Sequence, residues 1–91
     1  MPPRNWEIRI KDIRGAIRRN RKYLHNISYD EFKKDEKTID AIVRNFIVIG
    51  EAAANIPSFV RKKFKEIPWN KMIGMRNFVV HEYFGVSIIV L

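Results

Sequence analysis

Asp35-Glu36-Lys37-Thr38-Ile39-Asp40-Ala41-Ile42-Val43-Arg44-Asn45-Phe46-Ile47-Val48-Ile49-Gly50-Glu51-Ala52-Ala53-Ala54-Asn55-Ile56 carries the strongest helical signal in the chain. Ile39, Ile42, Val43, Phe46, Ile49, Gly50, Ala53 and Ile56 recur at helical spacing and line one side. The small residues from Gly50 to Ala54 let a neighbouring helix approach closely, and the three alanines favour helix on their own account. Pro57 stops the helix. The same segment allows Glu51 to turn either toward solvent or toward a site on a neighbouring helix.

Outward from this helix the chain reads as more helices. Residues 5–24 place Trp6, Ile10, Ile13, Ala16, Ile17 and Leu24 on an apolar face. Arg9, Lys11, Arg14, Arg18, Arg19, Arg21 and Lys22 occupy the other face, and Gly15 is a point of loosening. Ser28 and Glu31 have capping-box spacing, so a short helix begins there. His25 reads as an exposed or capping histidine. Ser58 is placed to cap a short basic helix carrying Phe59, Val60 and Phe64. Ile67-Pro68-Trp69-Asn70 forms a turn with Trp69 as a packing anchor. A last helix is expected from Lys71 to about Tyr83, ending near Gly85. Val86–Leu91 is compatible with a strand, a first helical turn or a packed tail. Strand patterning is nearly absent elsewhere, so the expected class is all-α, in a single domain over residues 1–91.

The 91 residues carry 18 Lys+Arg against 10 Asp+Glu, a net charge of +8. A field of that sign favours polyanionic partners. There is no cysteine, which excludes a disulfide framework and a thiolate zinc site. No secretory signal or bilayer-length apolar run is visible, so a cytoplasmic protein is expected, with no membrane partner. A chain this short buries only about 60% of its unfolded surface, so help from self-association is expected.

The chemistry concentrates in Gly74-Met75-Arg76-Asn77-Phe78-Val79-Val80-His81-Glu82-Tyr83-Phe84-Gly85. On a helix, Asn77 and His81 are i,i+4 neighbours, and Arg76 and Tyr83, seven apart, lie nearly one above the other. The long arm of Arg76 meets the imidazole over a ligand beside the helix. Histidine moves a proton near neutral pH, and a guanidinium neutralises charge growing on phosphoryl oxygens. Asn77 orients either group. The set suits phosphodiester chemistry without metal or cofactor. One histidine serves poorly as both base and acid, so a homodimer facing across a two-fold axis would supply both roles. The alternatives are a non-catalytic module binding nucleotide, nucleic acid or a partner protein, and a basic scaffold for anionic surfaces.

Arg76-Asn77-Phe78-Val79-Val80-His81-Glu82-Tyr83 resembles the R-N-x-x-x-H-x-Y signature of the HepT-like toxins, a branch of the HEPN superfamily. Lys37-Thr38, Asp40-Ala41, Arg44-Asn45, Ile49-Gly50-Glu51-Ala52-Ala53, Ile67-Pro68-Trp69 and Ile73-Gly74-Met75 agree in order, so the resemblance covers about residues 7–87. It implies an antiparallel up-and-down helical bundle that dimerises around a shared cleft. It further implies a metal-independent ribonuclease toxin, with Arg76 and His81 catalytic and Asn77 supporting. RNA is the implied substrate. The implied antitoxin is an MNT-type nucleotidyltransferase that transfers AMP to Tyr83. Relatives are expected to continue into a further C-terminal helix that this sequence is expected to lack.

Overall fold

The computed structural model describes residues 5–79, which form five helices and, among them, no strand. These are α1 (Trp6–Leu24), α2 (Tyr29–Lys33), α3 (Glu36–Ala54), α4 (Ser58–Lys63) and α5 (Trp69–Phe78). The all-α expectation therefore holds. The reading of 80–83 as helix, and every expectation for 84–91, lies outside the described residues.

Local chemistry sets the helix starts. The Asn5 side chain accepts from the Ile8 N–H, and Ser28 accepts from the Glu31 N–H at 3.1 Å. The Ser28 hydroxyl also donates to Glu31 Oε1, so the spacing read from sequence is a working cap. Asp35 caps α3 through the Thr38 N–H at 3.1 Å and the Thr38 hydroxyl at 2.6 Å. The hydroxyl first, and then the N–H, hold the Asp35 carboxyl below its ordinary pKa. Asn26, at φ 59°, makes the turn between α1 and α2, a conformation that asparagine tolerates. His25 is exposed at the α1 C-cap, as expected. Ser58 does not cap α4: it is the first helical residue, and the cap position belongs to Pro57, which makes no side-chain cap bond. The proline supplies the preset φ needed there. Gly15 does not break α1, which runs 19 residues without interruption.

α3 is the central element and packs on both α1 and α5. The register makes α1 antiparallel to it. Asn20, late in α1, donates to the Ile42 carbonyl early in α3, while Trp6 packs edge-on against Phe59 just beyond its end. α5 also runs back along α3. Trp69 is buried in the cluster that holds Ile56 and Val60, and Arg76 two turns later lies at Gly50. The core is the α1–α3 seam of Ile13, Ala16, Ile49, Ala52 and Ala53, closed at one end by Ile56, Val60 and Trp69. The Trp69 indole N–H donates to the Phe64 carbonyl at 3.1 Å, which anchors the α4–α5 turn.

Ile17 and Leu24, expected in the core, are each 42% exposed. α1 and α5 flank α3, leaving an apolar groove of about 610 Å³ over Phe46 and Ile49. Ile17, Leu24, Met72 and Met75 form part of its walls. No helix among the described residues is long and apolar enough to cross a membrane.

Candidate active site

Gly50 decides how α5 meets α3. A Cβ there would collide with the Cβ of Arg76 and would stand 3.0 Å from both Arg76 Cγ and the Met72 carbonyl oxygen. Only a glycine permits this approach. The small residues in the opening stretch thus have the expected use, and the helix they admit carries Arg76. The next residue along α3 is Glu51, and its Oε1 receives the Arg76 Nη1–H at 2.6 Å. Of the two orientations open to Glu51, the structure adopts the one facing the site. The Arg76 side chain is 30% exposed and that of Glu51 is 50% exposed, so the pair stands at the rim of the helix contact. Arg76 Nε is buried, with no hydrogen-bond partner among the described residues.

Asn77 follows Arg76 in the last turn of α5 and is exposed. His81 and Tyr83 lie outside the described residues. Of the predicted site residues, the structure therefore places Arg76 and Asn77, and it adds Glu51 as the direct partner of Arg76. The sequence pointed at Glu51 only through its glycine neighbour. A contact spanning 25 residues has no local signature.

Buried polar chemistry continues down α3. Asn45 is 2% exposed and Asn20 7%. Asn45 Nδ2 donates to Asn20 Oδ1 at 2.8 Å, and Asn20 passes the chain on to the Ile42 carbonyl. Asn45 Oδ1 is buried without a partner among the described residues. Neither asparagine stood out in the amphipathic pattern, which assigns asparagine to the polar face.

Cations frame the surface. Arg61, Lys62, Lys65 and Lys71 line a cleft of about 730 Å³ beside Trp69 and Asn70. Arg61 is committed to the fold: its guanidinium donates to the Ile56 and Ala54 carbonyls, both at 3.0 Å. Arg14, Arg18 and Arg21 form a second basic surface on α1.

The described residues form an all-helical protein with an arginine held at the α3–α5 contact, consistent with a HEPN-like bundle. More narrowly, the family model described as "Ribonuclease HepT-like" matches residues 13–90, and the chain belongs to that family. It is 39% identical over 82 residues to a Thermococcus cleftensis protein named "Probable ribonuclease HepT", covering 90% of this chain and 74% of that one. Two Methanocaldococcus jannaschii proteins, each carrying "Putative RNase" in its name, are both 33% identical to it. One match covers 96% of this chain and 72% of the relative, and the other 100% and 84%. No solved structure gives a significant match.

Proposed function

We propose that this protein is a metal-independent endoribonuclease and the toxin of a toxin–antitoxin pair in the cytoplasm. Arg76 and His81 are its catalytic residues and Asn77 supports them. The observation that carries this reading is Arg76. Within a family match that spans the whole motif, its guanidinium sits at the rim of the α3–α5 contact, held by Glu51. A guanidinium so held stabilises negative charge on a phosphoryl group, and the imidazole of His81 moves the proton between the ribose 2′-hydroxyl and the leaving oxygen. Two copies in a homodimer supply one histidine as base and the other as acid. The basic surfaces of α1 and of the α4–α5 cleft draw in the RNA. The antitoxin is a nucleotidyltransferase that adds AMP to Tyr83, placing bulk and negative charge where substrate phosphate must bind.

Purified protein is expected to cleave RNA in the presence of EDTA and to lose that activity in Arg76→Ala and His81→Ala. Intact RNA with wild type, or mutants as active as wild type, would refute the catalytic reading. Co-expression with a neighbouring nucleotidyltransferase gene is expected to raise the protein's mass in steps of one AMP, with no gain in Tyr83→Phe.

A further inference from the structure

We infer that Glu51 is the positioning residue for Arg76: it fixes which edge of the guanidinium is offered to the RNA phosphate. The inference rests on the ribonuclease reading of Arg76 and goes beyond it by giving a role to a residue on another helix. Three constraints converge on the arginine. Its stem is pressed against Gly50, where a side chain cannot fit. Its Nη1 is tied to Glu51 Oε1 at 2.6 Å. Its Nε is buried. The plane of the guanidinium is therefore set by an inward Nε and a tethered Nη1. An arginine so restrained has lost its rotamer freedom before substrate arrives, which is how a fork becomes a preorganised binding element.

Glu51 is itself held on a rigid support. Its flanking residues Gly50 and Ala52 are buried, and the Asn55 amide donates to its backbone carbonyl at 2.8 Å. The ion pair links α3 to α5 rather than neighbouring turns of one helix, so it reports and enforces the register between them. The carboxylate also carries a cost for binding, because it sets a negative charge beside an incoming phosphate. Orientation and charge thus act in opposite directions, and substitutions at Glu51 separate them.

The experiment follows cleavage of a fluorophore-labelled, mixed-sequence RNA oligonucleotide in EDTA by wild type, Glu51→Ala, Glu51→Gln, Arg76→Lys, Arg76→Ala and Glu51→Ala/Arg76→Lys. Glu51→Ala is expected to lower kcat roughly 10- to 100-fold with an unchanged melting temperature, since the carboxylate is half exposed. Glu51→Gln keeps an oxygen acceptor and removes the charge. Its kcat is expected within roughly threefold of wild type, with a lower KM. In the Arg76→Lys background, where no planar fork remains to be aimed, Glu51→Ala is expected to add little. Three results overturn the positioning role: wild-type kcat in Glu51→Ala, a loss in Glu51→Gln as deep as in Glu51→Ala, or full additivity with Arg76→Lys. Loss of cleavage in Arg76→Ala beside an indifferent Glu51→Ala overturns the role of Glu51 alone. No cleavage by wild type, or cleavage unchanged in Arg76→Ala, overturns the ribonuclease reading and this role with it.

Discussion

At the scale of single residues, the approach of α5 to α3 depends on one missing side chain. Gly50→Ala forces its new methyl into the stem of Arg76, and the helix backbone on either side cannot yield freely. Such overpacking costs about 1–3 kcal/mol. The expected outcome is a lower urea midpoint together with loss of cleavage, because the displaced group is the proposed catalytic arginine. The Asn20–Asn45 pair makes a second residue-scale prediction. Asn45→Ala strands the Asn20 carbonyl oxygen in the core and costs about 1–3 kcal/mol. Asn20→Ala combined with Asn45→Ala costs less than the sum of the two singles, a coupling that a urea double-mutant cycle measures. Neither site was legible as it stands in the fold. Gly50 and Glu51 were readable as a place of close approach, but the arginine they receive lies 25 residues away. Asn45 gave no local sign of burial, because its partner comes from another helix.

At the scale of elements, the sequence was more explicit. The apolar stripe of α3, the capping box at Ser28 and the proline stop at its far end all correspond to what the chain does. Ile17 and Leu24 show where the reading failed. Periodicity says which face of a helix is apolar, but how much of that face a neighbour covers depends on the spacing of α1 and α5 across α3. Gly15 illustrates the reverse case. It looked like a weakness and sits in unbroken helix, where an added Cβ meets only the flexible end of Arg19 at 3.4 Å. Gly15→Ala is therefore expected to stabilise the protein by about 0.5–1 kcal/mol, read as a raised melting temperature. The α3 cap gives a pH signature. The Asp35 carboxyl is held below its ordinary value in the folded protein. Its contribution is thus fully present above the unfolded pKa and is lost as pH falls through the lower folded value. Asp35→Ala is expected to lower the melting temperature at neutral pH, with the difference from wild type closing in acid.

At the scale of the whole molecule, charge and topology set the behaviour. With a net charge of +8, the proposed capture of RNA is expected to depend strongly on salt, with the logarithm of affinity falling by about 0.7 per decade of salt for each phosphate contacted. Lys62→Glu combined with Lys65→Glu, in the cleft beside Trp69, is expected to weaken binding and flatten that slope, as titrations at several salt concentrations would read. Because α3 lies between α1 and α5, its two ends have different neighbours, and the aromatic residues divide along the same line. Trp6 and Trp69 both pack near the end of α3, against Phe59 and within the Ile56–Val60 cluster. Tyr23 and Tyr29 belong to α1's last turn and to α2, beside its start. Tryptophan emission therefore follows one pole of the bundle, and because Tyr23 and Tyr29 are already exposed in the fold, helical circular dichroism supplies the second signal, an average over all the helices. The molecule carries its own pair of optical probes for cooperativity: superimposable denaturation curves mean that this pole and the helices as a whole melt as one, and separated curves mean that α3 frays from one end.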